Sequence, residues 1–319
     1  MLDEGASPDT RRLLTLCAIR VDGAGIDWSL VAREAQTGEG LDSLYSGHIN
    51  ESGRAADASR EALRRGLEDL SGANRRVEEE LAAAASVGAR LVTVLDEAYP
   101  ANLRLIPNLP PFLFVRGDLV DDDVRSVAVV GTRNPSDTGL IHAREMASRL
   151  VHKGVTVVSG LARGIDSAAH RAALDAGGRT IAVLGTGITQ CYPPENRGLA
   201  EEIAARGALV SQFWPTRPPG RDTFPRRNVV TSGLSQGTVV IEASSTSGAK
   251  MQARLALEHG KRVFLIKSLV TDQEWARGYV DKRGAVEVDT VDDVVRDLAP
   301  VERVRRAGEQ RQQLSFAIL

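Results

Sequence analysis

The chain has 319 residues, of which 42% are hydrophobic and 26% charged, and this composition is typical of a soluble globular protein with one large and one smaller domain. Its net charge is only −2, which argues against nucleic-acid binding by the charge of the whole molecule, so a local basic patch would have to provide it. Cys17 and Cys191 lack metal-ligand spacing, and the apolar run 13–19 is too short to span a membrane. We therefore expect a cytoplasmic protein with no membrane segment, no metal and no cofactor.

Residues 1–86 predict a small helical N-terminal domain. No strand-like run occurs between Asp9 and Ser86, and residues 55–86 are rich in alanine, leucine and paired charges that favour helix. We interpret this region as a packing or dimerisation module. A separate nucleic-acid reader is the alternative, but no helix-hairpin-helix signature is legible.

Residues 87–300 alternate short β-branched runs with helical segments, which predicts an α/β domain with a mostly parallel sheet covered on both faces. The predicted strands are RLVTV, SVAVV, VTVVS, TIAVL, ALVS, TVVIE, RVFLI and AVEV. Residues 301–319 are polar and arginine-rich, and we expect a solvated C-terminal tail there. A strand or helix that docks on a partner is the alternative.

Three of the predicted strands end in glycine-rich loops, the longest of which is SGLARGIDSAAH, residues 159–170. Glycines let the backbone approach an anion, and the positive end of the following helix would lie behind them. Because ligands bind outside the carboxyl ends of parallel strands, the loops predict a phosphate-binding cleft. A plain turn, in which Ser159 and Asp166 only cap backbone groups, is the alternative. The predicted phosphate-binding residues of these loops are Gly131, Arg133, Ser159, Gly160, Arg163, Gly164, Asp166, Gly185 and Gly187.

A second candidate cluster is FWPTRPPGRDTFPRRN, residues 213–228, in which four arginines interleave with three aromatic residues. Cations beside aromatic platforms are what a single nucleic-acid strand requires, since the cations neutralise phosphates and the rings stack on bases. Solubilising arginines over buried aromatics are the alternative. We predict that the binding residues here are Phe224, Arg226, Arg227 and Asn228.

The strand TVVIE ends at Glu242, just before a loop that contains Ser247 and Gly248. We predict that Glu242 accepts hydrogen bonds from the amides of this loop, and that the loop binds phosphate or base. Acid or base chemistry on a ribose is the alternative role. No Ser-His-Asp arrangement or pair of carboxylates can be read from the sequence, so we expect no catalytic residue.

The motifs VVGTR, SGLARGIDSAAH, GTGITQCYPPEN, FPRRN and VVIEASSTSGA stand in the order of the DNA-processing protein A (DprA/Smf) family, which the chain resembles over roughly residues 88–290. The resemblance implies a Rossmann-like, doubly wound sheet, and a homodimer that binds single-stranded DNA. It also implies that the RecA recombinase is a partner, and that the protein acts in DNA recombination and natural transformation.

The chain departs from the family pattern at several positions. Val229 stands where the family has a basic residue, Lys267 and Ser268 stand where it has proline and glycine, and the residues after Pro300 leave no room for the winged helix of many relatives. We expect these departures to affect the loading of RecA onto DNA more than they affect the fold.

A second class of function also stays open, a small-nucleotide site of the same superfamily. It would be a nucleotide sensor or a hydrolase similar to the cytokinin-activating phosphoribohydrolases. Those hydrolases carry PGGxGTxxE, which Gly237, Thr238 and Glu242 only approximate. We therefore favour a non-enzymatic binder.

Overall fold

The computed structural model describes residues 6–36 and 39–317, without the side chains of residues 312 and 314–317. Helices form the described part of the predicted N-terminal domain. They are α1 (Pro8–Ala18), α2 (Trp28–Ala35), α3 (Gly40–Tyr45), α4 (Arg54–Gly66) and α5 (Ser71–Ser86). Side chains of Ser7 and Asp27 cap α1 and α2 by accepting hydrogen bonds from backbone N–H groups. The predicted helices are therefore present, and the division of the chain at residue 86 stays a prediction.

One sheet is the centre of the rest of the described chain. Its strands are β1 (Arg90–Thr93), β2 (Phe112–Gly117), β3 (Ser126–Val130), β4 (Thr156–Ser159), β5 (Thr180–Val183), β6 (Ala208–Ser211), β7 (Gly237–Val240), β8 (Arg262–Ile266) and β9 (Val286–Val288). The helices of this part are α6 (Ala101–Arg104), α7 (Asp137–His152), α8 (Ile165–Asp175), α9 (Arg197–Arg206), α10 (Thr223–Leu234), α11 (Gly248–Glu258), α12 (Lys267–Asp272), α13 (Glu274–Arg283), α14 (Val291–Arg296) and α15 (Val301–Ala317).

Strand order confirms the predicted mostly parallel sheet. Within the described residues the order is β1-β2-β6-β5-β4-β3-β7-β8-β9, and pairing is parallel from β6 to β9. The chain moves from β3 outward to β6 and then returns to the other side of β3 as β7. The carboxyl ends of β3 and β7 therefore form the switch point at which α/β sheets bind ligands.

Strand β2 is absent from the sequence-based prediction. It pairs antiparallel with both β1 and β6, and Phe112 to Val115 are fully buried. Its run FLFV has no alternation of polar and apolar residues, and such a run does not by itself distinguish a buried strand from another buried segment.

The N-terminal helices are fixed to the sheet by aromatic and polar contacts. The ring of Trp28 lies 4.9 Å from Phe112 and 6.0 Å from Trp214. Glu80, which is 6% exposed, accepts hydrogen bonds of 2.9 Å from the backbone and hydroxyl of Thr216. These contacts favour the interpretation of the helices as a packing module over an independent reader.

Residues 301–317, for which we expected a solvated tail, form α15; residues 318–319 lie outside the described part. Helix α15 packs on α6, where Gly308 faces Ala101 and the Arg311 guanidinium donates to the carbonyl of Leu105 at 2.9 Å. Arg305 lies 3.4 Å from Asp121. The polar composition did not predict this contact. Small residues such as Gly308 allow two helices to pack closely even where no apolar stripe is present.

Candidate nucleic-acid interface

A cleft of about 460 Å³ opens at the switch point of the sheet, between α10 and α11. Its floor is the end of β3 and of β4. The lining residues are Val130, Gly131, Thr132, Arg133, Gly160, Ala162, Asp166, Phe224, Arg227, Asn228, Thr231, Ser244, Ser247, Gly248, Ala249, Met251 and Gln252. The cleft therefore brings together nine of the predicted binding residues: Gly131, Arg133, Gly160, Asp166, Phe224, Arg227, Asn228, Ser247 and Gly248.

One wall of the cleft is a single face of α10. Phe224, Arg227, Asn228 and Thr231 recur at three- and four-residue spacing, which places them on one side of a helix. The Arg227 guanidinium is 8% exposed and donates to the carbonyls of Gly160 and Val183. Its Nε donates to the Asn228 Oδ1 at 3.0 Å, so these hydrogen bonds all go to the protein itself and Arg227 fixes the floor of the cleft to α10.

The opposite wall begins at the N-terminus of α11. The Ser247 hydroxyl accepts a 3.2 Å hydrogen bond from the Lys250 N–H and so caps the helix. Gly248, at the first helical position, has no heavy atom of another segment within 4 Å of where a Cβ would lie. This wall therefore presents the positive end of a helix dipole to open space, which suits an anion.

At the mouth of the cleft a cation lies over one aromatic ring, which in turn packs against a second. The Arg133 guanidinium is 5.3 Å from the centre of the Phe224 ring, and that ring is 5.6 Å from Tyr192, which is 43% exposed. Among the described residues Arg133 makes no ion pair. The mouth thus combines an unpaired positive charge with exposed aromatic surface.

The loop between β4 and α8 is closed by its own side chains. The Asp166 carboxylate accepts hydrogen bonds from the N–H groups of Gly160, at 3.1 Å, and Ala162, at 3.4 Å. Burial raises the pKa of the Asp166 carboxyl, while the charge of Arg227 acts in the opposite direction. Asp166 thus caps backbone groups of its own loop, as in the plain-turn alternative, and the N-cap of α8 is Gly164.

Three predicted glycines serve close packing away from the cleft lining. Gly164 has a φ of +77° and lies against the backbone of Thr132 and Arg133. Gly185 lies under the Phe224 ring, and Gly187 lies against the carbonyls of Trp214 and Pro215. These three glycines therefore allow close packing of chain segments and do not line the cleft.

Four further predicted residues also lie outside the lining of the cleft. The Ser159 hydroxyl donates to the carbonyl of Val129 at 2.7 Å, and Arg163 pairs with Glu195 on the surface. The Arg226 guanidinium lies over the rings of Trp28 and Phe213, 5.1 and 5.4 Å from their centres. Arg226 thus points to the N-terminal helices, because adjacent helical residues face different directions.

Glu242 is the fourth predicted residue outside the lining of the cleft. The prediction that it accepts hydrogen bonds from the amides of the Ser247–Gly248 loop is wrong. Its carboxylate accepts from the N–H and the hydroxyl of Ser136, at 3.1 and 2.8 Å. Ser136 is the N-cap of α7, so Glu242 stabilises the start of that helix. The carboxylate is therefore engaged by a structural partner.

Sequence reasoning missed Gln252, which borders the cleft and is only 2% exposed. The side chain is the one polar member of the buried face of α11, which otherwise consists of Ala249, Ala253 and Ala256. A polar residue inside an apolar stripe was the available signal. Thr231 of α10 was also missed, and the many polar residues of that helix gave no such signal.

The described residues contain no group of three or more His, Cys, Asp and Glu side chains placed to hold a metal ion. Among the helices of residues 6–36 and 39–317, none combines the length and the apolar character needed to cross a membrane.

Comparison with known proteins identifies relatives of this chain. The family model described as DNA recombination-mediator protein A matches residues 90–299. Protein Smf of Synechocystis sp. is 42% identical over 189 residues, which cover 58% of this chain and 48% of that protein. The matches cover between about half and three quarters of the length of such relatives.

Two solved structures share the fold. DNA processing protein A of Streptococcus pneumoniae superposes with a TM-score of 0.70 and 26% identity, and the match covers 92% of this chain and 99% of that one. DNA processing protein A of Helicobacter pylori, solved to describe its single-stranded DNA binding mode, gives a TM-score of 0.59 and 24% identity over 66% of this chain and 98% of that one. At that identity the second likeness supports the fold alone.

Proposed function

The chain belongs to the DNA recombination-mediator protein A (DprA/Smf) family, and from this premise we propose that it binds single-stranded DNA in the cleft between α10 and α11. The mouth of the cleft is the observation that carries the proposal. There Arg133, which has no ion pair among the described residues, lies over the Phe224 ring, and that ring packs against Tyr192. A charge for a phosphate and rings for bases stand together at one opening.

The cleft supplies the two kinds of contact that a strand needs. A phosphate lies at the N-terminus of α11, where Gly248 leaves the backbone N–H groups open, with Arg133 on its other side. A base stacks on the Phe224 ring or enters the cleft, whose volume of about 460 Å³ suits one nucleotide and not a duplex. Binding is therefore local, in agreement with the small net charge of the chain.

Ligand class and partners follow from the family and remain part of this proposal. DNA processing protein A of Helicobacter pylori binds single-stranded DNA, and we carry this ligand class over because the cleft has the matching chemistry. We further propose a homodimer that acts in the cytoplasm in DNA recombination and natural transformation, with RecA as a partner.

The family is one of recombination mediators and not of enzymes, and we propose the same for this chain. The alternative hydrolase needs a free carboxylate at the ribose, and Glu242 was its candidate. Since that carboxylate accepts two hydrogen bonds from Ser136, a binding role without turnover is favoured.

Replacement of Arg133 by alanine tests the proposal. We expect weaker binding of oligo-dT, and a slope of log affinity against log salt that is lower by about 0.7, because one phosphate contact is lost from a single strand. The unfolding midpoint should change little, since Arg133 has no ion pair among the described residues and loses only its contact with the Phe224 ring. Fluorescence anisotropy at four salt concentrations measures both quantities.

Arg163→Ala is the matched control. Arg163 is also an exposed loop arginine beside a strand end, but it pairs with Glu195 outside the cleft. Its removal should leave affinity and slope as in the wild type. Equal affinity and slope for wild type and Arg133→Ala would refute the assignment of the cleft.

A further inference from the structure

Gln252 is a buried amide that the protein itself does not satisfy. It is 2% exposed, and neither its Oε1 nor its Nε2 has a hydrogen-bond partner. Buried polar groups nearly always have partners, so an unpaired pair of donor and acceptor in one side chain calls for an explanation. An apolar side chain of similar size would fill the same space without loss.

Gln236 shows what a structural glutamine looks like in this protein. It is 8% exposed, its Nε2 donates to the carbonyl of Val124 at 3.0 Å, and its Oε1 accepts from the N–H of Ala299 at 2.8 Å. Both ends of that amide thus hold the fold together. Gln252 is more deeply buried, at 2% exposure, and has neither bond, but it borders the cleft.

The position of Gln252 relates it to the proposed phosphate site. Gly248 begins α11 and Gln252 follows four residues later, so both lie on one side of the helix, about 6 Å apart along its axis. A phosphate at Gly248 would therefore place its nucleotide's base deeper in the cleft, towards the Gln252 amide. Asn228 and Thr231 border the same space from α10.

We propose that Gln252 hydrogen-bonds the edge of an unpaired nucleobase that enters the cleft. This inference rests on the proposed function and names the part of the DNA that is recognised, the edge of a base. A carboxamide presents a donor and an acceptor side by side, which matches the adjacent donor and acceptor on base edges. In a duplex the partner strand occupies the Watson–Crick edge, so Gln252 favours the single strand.

Gln252→Met tests the inference, because methionine keeps the length of the side chain and removes both polar atoms. The probes are three short strands of equal length, made of thymidine, of the difluorotoluene isostere of thymidine, which lacks hydrogen-bonding groups, and of abasic sites. The wild type should bind the thymidine strand about tenfold more tightly than the isostere strand. In Gln252→Met this ratio should fall to about one, with affinity for the abasic strand unchanged.

Thermal unfolding and a control variant complete the experiment. Gln252→Met should melt no lower than the wild type, since no internal hydrogen bond is lost. Gln236→Met should melt lower and keep the wild-type ratio between the thymidine and isostere strands, because its amide bonds are internal.

The remaining outcomes would contradict either the proposed function or this inference alone. Failure of the wild type to bind the thymidine strand would overturn the proposed function and this inference together. An unchanged ratio in Gln252→Met would overturn the inference alone, as would an equal loss of affinity for the abasic strand, which would show that the amide contacts the backbone. A lower melting temperature of Gln252→Met would show an internal partner and would also overturn it.

Discussion

Two loops at the carboxyl edge of the sheet differ in how their backbone groups are used. The loop between β4 and α8 carries the stronger glycine motif, yet Asp166 accepts from its N–H groups and Arg227 donates to the Gly160 carbonyl. The loop between β7 and α11 has a single glycine, Gly248, at an open helix N-terminus. We call the glycine-rich loop closed, because its N–H groups donate to Asp166, and the serine-rich loop open, because its helix N-terminus faces open space.

Hydrogen-bond partners, more than glycine content, therefore separate a loop that can bind an anion from one that cannot. A backbone N–H that already donates to an internal carboxylate has nothing left to offer a phosphate. The first loop shapes the floor of the cleft, whereas the second offers its N–H groups. Three predictions test this division, beginning with the largest expected effect.

Replacement of Arg227 by methionine should lower the free energy of unfolding by about 3 kcal/mol, because buried carbonyls lose a charged donor and Asp166 stays buried near no cation. Urea denaturation followed by circular dichroism measures the change. Adding Asp166→Asn should recover part of the loss, since the carboxylate charge is removed while an oxygen remains for the loop amides.

Arg226→Met is the matched control for Arg227, since it changes the adjacent arginine. The Arg226 guanidinium lies over two rings at an exposed position, so its removal should cost about 1 kcal/mol or less. Similar losses from both replacements would contradict the structural role assigned to Arg227.

The second prediction concerns His170, which is buried on α8 behind the closed loop. Burial, with a smaller effect from the charge of Arg227, lowers its pKa to about 3. The unfolded chain binds a proton near pH 6.5 that the folded protein does not bind, so stability falls as pH decreases from about 6.5 towards 3. The loss approaches about 1.4 kcal/mol per pH unit within this window.

His170→Asn isolates this contribution. Thr180 donates its hydroxyl to the carbonyl of Val157, so His170 Nδ1 donates to the Thr180 oxygen at 2.7 Å, and an asparagine amide can replace that donor. Urea unfolding at pH 5 and pH 7 should show a smaller difference for the variant than for the wild type. An equal difference in both proteins would mean that other groups cause the pH dependence.

Sequence reasoning predicted the parallel sheet and the edge that carries the cleft because both follow from periodic patterns and strand-end loops. It failed where the role of a residue depends on the direction of its side chain or on its hydrogen-bond partners. Arg226 and Arg227 look equivalent in FPRRN, but one helical step sends the first to Trp28 and the second under the cleft. The sequence placed Glu242 at the end of its strand, but β7 ends at Val240, and the Glu242 carboxylate accepts from the N–H of Ser136 and not from an amide of the loop that follows it. Such contacts depend on three-dimensional proximity that spacing does not contain.

The third prediction compares one glycine from each loop, changed to alanine. Gly164 has a φ of +77°, and a Cβ there would lie 2.5 Å from the carbonyl oxygen of Thr132, so Gly164→Ala should destabilise the protein by about 1 to 3 kcal/mol. Gly248 lies in open space at the start of α11, so Gly248→Ala should leave stability equal or raise it by up to about 1 kcal/mol. Urea denaturation compares the two variants.

Oligonucleotide binding separates the same two glycines in a second way. A Cβ at position 248 would stand between an incoming phosphate and the helix N–H groups, so Gly248→Ala should weaken oligo-dT binding although the fold is intact. Because the variant is at least as stable as the wild type, lost affinity cannot be ascribed to unfolding. Full affinity in Gly248→Ala would place the phosphate elsewhere in the cleft, and a destabilised Gly248→Ala would mean that the second loop is as closed as the first.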